Sequence, residues 1–277
     1  MTGPRRRSTQ DAGTRQASRV LFVAGFLTFT MIYVAQGLLP AVSADFGVSP
    51  ASASLTLSLT TLPLAVALVV AASWSEGHGR RGLVVAALLG GGALTLAGAA
   101  SPNFPTLLAV RILTGLALAG LPAVAMAYVA EEVPSGSLGR AMGLYISGTG
   151  LGGMAGRLTG GLLGGALSWR WALAAVGLTG LLGGLWVARR LPSSRNFRPD
   201  PVGLPGRLRA LRTPLRDPVL LGLAACGFVL MGCVVSFYNY LQYRLARPPF
   251  DLEPSVVALV FLLYLFGTVG ANYLGRA

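Results

Sequence analysis

Long apolar stretches recur along this chain, and their length restricts the fold more than any other feature of the sequence. A helix needs about 20 mostly apolar residues to cross the hydrocarbon core of a bilayer. Short polar breaks separate the stretches that reach this length. We place them at residues 20–42, 52–73, 82–100, 105–128, 141–166, 171–188, 219–243 and 256–273. The sequence therefore predicts an all-α integral membrane protein with about eight transmembrane helices.

The composition supports a membrane protein and excludes other classes. Hydrophobic residues make up 53% of the chain and charged residues only 11%. The 38 glycines suit closely packed transmembrane helices, because glycine lets two backbones approach. A net charge of +13 would suggest a nucleic-acid partner if it formed one patch. The charges alternate with the apolar stretches instead, so we expect the lipid bilayer as a partner and no nucleic acid.

The arginines predict the direction in which the chain crosses the membrane. All 22 basic residues are arginine, and 17 of them fall on the cytoplasmic side if the N-terminus lies in the cytoplasm. Three would lie outside, and Arg111 and Arg157 fall within spans. Because basic loops are retained on the cytoplasmic side, we predict a cytoplasmic N-terminus.

A short polar turn joins the second and third predicted spans. It has an acid, Glu76, three residues before Gly79, and two arginines follow that glycine. This pattern resembles the signature loop of the major facilitator superfamily, which begins with glycine and has aspartate where Glu76 stands. The resemblance implies a cytoplasmic gating loop, a charge cluster that holds one conformation closed; the alternative is ordinary loop charges. Its residues in this chain are Glu76, Gly79, Arg80, Arg81, Glu131 and Arg140.

Two further patterns resemble the same family. Arg111 is followed four residues later by Gly115, similar to the family's second motif. The fifth span has glycine at every fourth position, which places small residues along one helix face where another helix can pack. This stripe resembles the family's antiporter motif, although the family's proline is absent and Gly153 stands near its place. The packing glycines are Gly148, Gly152, Gly156, Gly160 and Gly164.

The same glycine-rich stretch satisfies the dinucleotide fingerprint GxGxxG at 148–153. We exclude that interpretation because a nucleotide fold needs a preceding strand and an acidic residue about 20 positions later. No acid occurs between Glu132 and Asp200. The chain has neither HExxH nor GxSxG and a single histidine. The sequence therefore predicts no cofactor, no metal site and no enzyme activity.

Taken together, these patterns identify the chain as a member of the major facilitator superfamily, similar to its bacterial efflux-type members. The resemblance implies two six-helix bundles around a central cavity, in a bacterial inner membrane. We divide the chain into a cytoplasmic basic tail (1–19), an N-terminal six-helix bundle (20–190), a cytoplasmic linker (191–217) and the first two helices of a second bundle (218–277). Because only two spans follow the linker, we expect a member truncated after about eight helices.

Candidate substrate-binding residues are polar side chains in the outer halves of the spans. In the family, the first, fourth and seventh helices line the cavity. A charge inside the membrane costs at least about 2.5 to 3.5 kcal/mol, so it should face protein or a water-filled cavity. The candidates are Tyr33, Gln36, Arg111, Arg157 and Asn239. Three alternatives remain open: the arginines could cap backbone carbonyls or brace helices, Tyr33 could be an ordinary packing or interfacial aromatic, and the two amides could satisfy each other.

The resemblance implies a secondary active transporter that moves a small organic molecule by alternating access, as proton-coupled efflux. Its partners would be the substrate and protons. Two arginines within spans, with no acid well inside a span, favour an anionic or polar substrate. The alternative is a transport-inactive fragment, or half of a split transporter that needs a missing C-terminal half or a partner chain.

Overall fold

A computed structural model describes residues 4–194, 206, 209 and 216–263. Every regular element in these residues is helical, which confirms the predicted all-α fold. In chain order the helices are α1 (Pro4–Gly37), α2 (Leu39–Phe46), α3 (Pro50–His78), α4 (Arg80–Ala99), α5 (Phe104–Leu118), α6 (Gly120–Glu132), α7 (Leu138–Ala166), α8 (Trp169–Arg190), α9 (Pro218–Leu245) and α10 (Pro254–Ala258). Short 3₁₀ turns lie at Ser135–Ser137 and Leu259–Leu262.

Six helical segments of the described chain are long and apolar enough to cross a membrane, with α5 and α6 counted as one segment. The fifth expected span, α7, is not among them, although its 29 residues are sufficient in length. Its many glycines and its polar residues lower its hydropathy. Only the first part of the eighth expected span, 256–273, falls within the described residues.

Two of the expected spans are interrupted near a proline. The first span, expected at 20–42, ends its helix at Gly37, and α2 begins two residues later with Pro40 in its first turn. The fourth, expected at 105–128, is interrupted at Ala119, three residues before Pro122. Proline has no backbone N–H, so the carbonyl four residues earlier loses its helical partner. At the other end α1 starts at Pro4, within the segment predicted as a basic tail.

The glycine stripe of α7 packs on α1 in one parallel register. Both helices advance by four residues from each contact to the next, so they run side by side in the same direction. The glycines Gly148, Gly152, Gly156, Gly160 and Gly164 face Phe22, Phe26, Thr30, Val34 and Leu38 in that order. A Cβ atom on Gly156 would lie 2.5 Å from the Thr30 carbonyl oxygen, so a larger residue would force the helices apart.

The bundle has two ends. We call the end that carries Arg80, Arg140 and Arg190 the arginine-rich end, and the end that carries Asp45 and Trp169 the tryptophan end. At the tryptophan end, the Asp45 carboxylate accepts a hydrogen bond from the Trp169 indole at 2.9 Å. A second bond comes from the guanidinium of the residue after Trp169, at 2.8 Å. These contacts tie α2 to the start of α8.

At the arginine-rich end, side chains of three other helices donate hydrogen bonds to backbone carbonyls at the C-terminal end of α8 and just after it. Gln16 of α1 donates to the carbonyl of Arg190 at 2.9 Å, and Arg81 of α4 donates to the carbonyl of Leu191 at 2.8 Å. Tyr128 of α6 donates to the next carbonyl, that of residue 192, at 3.0 Å. These bonds satisfy backbone groups that a helix end leaves without partners. Most of the expected linker, 191–217, lies outside the described residues.

Helix α9 contacts the rest of the described chain only near its C-terminal end. From Pro218 to Val234 it is exposed on all sides, and Phe228 retains 81% of its accessible surface. Further along, Tyr238 packs on Phe261 with ring centroids 5.4 Å apart. The division of the chain into two bundles stays a prediction.

Candidate functional site

Four of the five predicted substrate-binding residues meet in a buried polar cluster, which we call the Arg157 cluster. The Nε atom of Arg157 on α7 donates to Oε1 of Gln36 on α1 at 2.6 Å. The amide nitrogen of Gln36 donates to Oδ1 of Asn239 on α9, also at 2.6 Å. The guanidinium carbon of Arg157 lies 3.9 Å from the centroid of the Tyr33 ring. The cluster therefore joins α1, α7 and α9 through side chains alone.

The local sequence explains why these groups can meet. Tyr33 and Gln36 are three residues apart on α1, so they share a helix face, and the glycine stripe brings that face against α7. Gly153 leaves room for the arginine, because a Cβ atom there would lie 3.1 Å from Nη1 of Arg157 and 3.3 Å from the Tyr33 ring. Only 3% of Arg157 is exposed, and Gln36 is fully buried.

This surrounding suits a cation that exchanges its partners. A guanidinium carries five N–H donors in a planar fork that fits carboxylate or phosphate oxygens. The partner of its Nε atom is the neutral side-chain amide of Gln36, which can rotate away. The aromatic face of Tyr33 stabilises the positive charge by a cation–π contact. The arrangement can therefore bind an anionic or strongly polar group.

A cavity of about 200 Å³ lies on the side of the Arg157 cluster that faces the tryptophan end. Gly37, which follows Gln36, and Gly161, one turn after Arg157, line it. Gln242 of α9 contributes a side-chain amide. Pro254 and Val257 close it from α10. Small residues thus leave space for part of a ligand beside the arginine.

The fifth predicted residue, Arg111, makes different contacts. Its three guanidinium nitrogens donate to backbone carbonyls, those of Thr56 at 3.2 Å, Met31 at 3.2 Å and Ile32 at 2.9 Å. Only 1% of Arg111 is exposed. These contacts match the alternative in which an arginine caps carbonyls and braces helices, here α5 against α1 and α3. A role for Arg111 in substrate binding stays a prediction.

Part of the predicted gating loop forms a charge cluster at the arginine-rich end. Arg80 at the start of α4 bonds to Glu131 of α6 through Nη2 at 2.7 Å and through Nε at 3.2 Å. Its Nη1 atom donates to the Ser75 hydroxyl at 2.7 Å and lies 4.0 Å from the Glu76 carboxylate. Gly79 has a φ of +86°, a value that side chains with a Cβ rarely adopt. That glycine lets the chain turn from α3 directly into α4.

Two other members of the predicted gating loop lie elsewhere. Arg81 donates to the carbonyls of Ala188 and Leu191 at the end of α8. Arg140, at the start of α7, is exposed and lines a cavity with Arg15 and Arg19. The structure therefore brings Glu76, Gly79, Arg80 and Glu131 together, without these two arginines.

Sequence reasoning missed two residues of these sites. Ser75 lies within the loop motif, five residues before Arg80, and a hydroxyl in the same short motif as an arginine was the available signal. Phe261 lies 5.9 Å from the Arg157 guanidinium. No sequence signal marks it, because the packing of its 3₁₀ turn, Leu259–Leu262, on α7 depends on the tertiary fold.

A polytopic helical bundle with a buried polar cluster between its first, fifth and seventh spans, and a charge cluster at one end, is typical of a secondary transporter. The chain belongs to the Major Facilitator Superfamily, whose sequence model matches residues 21–277. This confirms the family resemblance, and the family consists of transporters, not enzymes.

Curated relatives support the assignment. The chain is 40% identical over 262 residues to the uncharacterized MFS-type transporter YybF of Bacillus subtilis, covering 95% of this chain and 65% of the relative. It is 40% identical over 259 residues to the inner membrane transport protein YnfM of Escherichia coli, covering 92% and 62%. A chloramphenicol resistance protein of Streptomyces lividans is 30% identical over 231 residues, covering 83% and 57%. The chain thus spans less than two thirds of the length of these relatives.

A solved structure shows the same fold. The inward-facing, occupied crystal structure of a bacterial homologue of the human lysosomal transporter Spinster superposes with a TM-score of 0.74 at 21% identity. The match covers 100% of this chain and 62% of the other. At this identity the likeness establishes the fold alone, an all-α membrane fold of the superfamily.

Proposed function

We propose that this chain acts in secondary active transport, moving a small organic molecule out of the cell by alternating access in exchange for protons. Its N-terminus and arginine-rich end would lie in the cytoplasm of a bacterium, at the inner membrane. The Arg157 cluster carries the proposal, because it places a buried cation and two amides where three spans meet. The names of the relatives, an inner membrane transport protein and a resistance protein, support export of a small molecule.

The hydrogen bonds of the cluster suggest how substrate acts on conformation. Gln36 bonds to both Arg157 and Asn239, so it links α7 to α9 through α1. A substrate oxygen that takes the place of the Gln36 carbonyl at the guanidinium frees that amide. The bond to α9 then has to rearrange. Because the substrate would bind the two arrangements with different affinity, it would shift their populations, as alternating access requires.

Transport in proteoliposomes tests this proposal. The purified chain is reconstituted and assayed with a panel of small molecules, with chloramphenicol as the first probe because of the named relative. We expect Arg157→Gln to weaken the apparent affinity of saturable transport about 10- to 100-fold and Arg140→Gln, which replaces an exposed arginine of the same helix, to leave it unchanged. Equal transport by Arg157→Gln and the unmodified chain would contradict the role of the cluster.

Proton exchange is tested in the same vesicles. A protonophore collapses the proton gradient without touching the protein, so coupled transport should stop while facilitated diffusion continues. Transport that persists at the same rate after the protonophore would remove protons from the proposal and leave the substrate pathway intact.

A second candidate function is that of one part of a transporter that works only with further helices. The observation that favours it is the exposure of α9 on all sides from Pro218 to Val234, since a helix of a transporter bundle normally buries one face against its neighbours. The test compares the chain alone with the chain extended by the reading frame that follows it in its genome. Transport by the extended version only would favour this candidate, and transport by the chain alone would exclude it.

A further inference from the structure

A third cavity, distinct from the Arg157 cluster, lies at the arginine-rich end between α1 and α8, and Arg15 and Arg19 line it as well as the cavity at Arg140. Its volume is about 540 Å³. The residues that line it are Arg15, Gln16, Arg19, Val20, Trp186 and Arg190. Three of the six carry a positive charge and none carries a negative charge. The composition of this lining predicts an anionic ligand.

The helices hold the three arginines around one space. Arg15 and Arg19 are four residues apart on α1 and so lie on the same helix face, and Arg190 belongs to the last turn of α8. The Gln16 side chain donates to the Arg190 carbonyl at 2.9 Å, which fixes the two helices against each other at this level. Guanidinium groups pair with phosphate oxygens through two parallel hydrogen bonds. The cavity therefore offers several such donors to a single phosphate.

An apolar stripe leads away from this cavity along α8. Trp186 precedes Arg190 by one turn and is 40% exposed, and Leu182 and Leu178 continue the same face at intervals of four residues. Both leucines keep more than half of their accessible surface. Tryptophan is enriched at the level of lipid headgroups, where one side of the ring is apolar and the other is wet. A ligand that uses both features has an anionic head and a long apolar tail.

We propose that the cavity binds the phosphate headgroup of an anionic phospholipid, whose acyl chain lies along Trp186, Leu182 and Leu178. Basic pockets between transmembrane helices on the cytoplasmic side bind such headgroups. The stripe distinguishes this ligand from free phosphate, which would occupy the cavity and leave the leucines in contact with ordinary lipid. The site is independent of the Arg157 cluster, which lies between α1, α7 and α9.

Native mass spectrometry of the purified full chain in detergent measures the binding. Phosphatidylglycerol should be retained and phosphatidylcholine lost at the same concentration. Each arginine that contacts the anionic headgroup contributes a factor of about five in lipid affinity, so Arg190→Gln should weaken phosphatidylglycerol binding about fivefold. The double variant Arg19→Gln with Arg190→Gln should weaken it about 25-fold. Arg189→Gln is the matched control, because Arg189 belongs to the same last turn and does not line the cavity.

Two further measurements separate the lipid from a soluble anion. Leu182→Gln should lower retention of phosphatidylglycerol without changing the binding of inorganic phosphate, and millimolar phosphate should not displace the lipid. If Arg190→Gln does not fold, Arg19→Gln carries the test by the same readout. Equal retention of the two lipids, or equal losses in Arg189→Gln and Arg190→Gln, would overturn the proposal. So would displacement of the lipid by phosphate together with an unchanged Leu182→Gln.

Discussion

Arg111 and Arg157 are both buried charges within predicted spans, at 1% and 3% exposure, yet their partners belong to different chemical classes. Arg111 donates to three backbone carbonyls, on α1 and α3. Arg157 donates to the side-chain amide of Gln36 and lies over the ring of Tyr33. A carbonyl cannot move unless its helix moves, whereas an amide or a ring can rotate. The free-energy cost of placing an arginine within the membrane can therefore be offset in two ways. One is hydrogen bonding to backbone carbonyls, which holds helices together, and the other is contact with side chains that can rotate.

The largest expected effect comes from removing the Arg111 guanidinium, which braces α5 against α1 and α3. Arg111→Leu removes one donor from each of three buried carbonyls, and each bond to a charged group contributes about 1.5 to 3 kcal/mol before the cost of burying the charge is subtracted. We expect a net loss of about 2 to 4 kcal/mol in the free energy of unfolding, measured by thermal unfolding in detergent. Arg111→Lys keeps the charge without the fork and should recover part of the loss. A melting temperature unchanged in Arg111→Leu would show that the brace does not stabilise the bundle.

The next effect concerns the glycine one turn after Arg111. A Cβ atom on Gly115 would collide with the backbone carbonyl of Thr60 on α3, so Gly115→Ala must push α3 away from α5. We expect a loss of about 1 to 3 kcal/mol in stability, typical of overpacking. Gly90→Ala is the control, because its Cβ atom would meet the nearest atom at an ordinary 3.6 Å. Equal melting temperatures for the two variants would contradict the prediction.

Arg157→Gln should affect binding more than stability. The loss of one charge-assisted contact costs about 1.5 to 3 kcal/mol, or a factor of about 10 to 100 in substrate affinity. Because Arg157 bonds to the side chain of Gln36, whereas Arg111 bonds to three backbone carbonyls, the melting temperature should change less than in Arg111→Leu. Equilibrium binding and thermal unfolding on the same preparation separate the two effects. A larger loss of stability in Arg157→Gln than in Arg111→Leu would reverse the comparison.

A smaller change shifts Arg157 without removing it. A Cβ atom on Gly153 would lie 3.1 Å from the flexible end of Arg157 and 3.3 Å from Tyr33, so both side chains must move by a few tenths of an ångström. We expect Gly153→Ala to weaken substrate binding about two- to fivefold, since a charged hydrogen bond is bent and not lost. Gly150→Ala on the same helix meets nothing within 4 Å and should bind as the unmodified chain does.

The smallest effect belongs to a half-buried arginine at the tryptophan end, Arg170, which adds a third environment to the comparison of arginines. The Trp169 indole and then the Arg170 guanidinium hold the pKa of Asp45 below its ordinary value of 3.8. A carboxyl with a lowered folded-state pKa stabilises the fold above its unfolded pKa and loses that contribution as pH falls through the folded-state pKa. We expect less than about 1 kcal/mol, because the pair is partly exposed. Melting temperatures below pH 3.8 should fall more in the unmodified chain than in Asp45→Asn.

The sequence predicted the helical class, six of the spans and the family because each depends on local pattern. Apolar length identifies a transmembrane helix without knowledge of its neighbours. The interruptions at Gly37 and Ala119 were not predicted, although Pro40 and Pro122 are visible in the sequence. Transmembrane helices tolerate proline when neighbours satisfy the freed carbonyls, so a proline alone does not decide between a kink and a break.

The candidate site was predicted in composition, and of its contacts only the bond between Gln36 and Asn239 was anticipated, as one of the alternatives. Spacing placed Tyr33 and Gln36 on one face of α1, and in the structure Arg157 of α7 and Asn239 of α9 contact that face. The role of Arg111 was left open between substrate and carbonyls, because only the crossing of α5 with α1 and α3 brings Met31, Ile32 and Thr56 within reach. Arg140 was expected near Glu131, since both lie at the same end of the bundle. It instead faces α1, and nothing in its own segment indicates that neighbour.

The glycines of α7 contact α1 at every fourth residue, and this repeat alone does not fix how the two helices are aligned along their lengths. Because glycine recurs every four residues, sliding α7 by four residues, about 6 Å at 1.5 Å per residue, would again place glycines against the same residues of α1. Close packing alone therefore permits several alignments of the two helices that fit almost equally well. The bond from Thr30 to the Gly152 carbonyl at 3.1 Å and the bond from Arg157 to Gln36 remove that degeneracy. In the proposed function, a substrate that displaced Gln36 from Arg157 would therefore remove one of the bonds that fix this alignment.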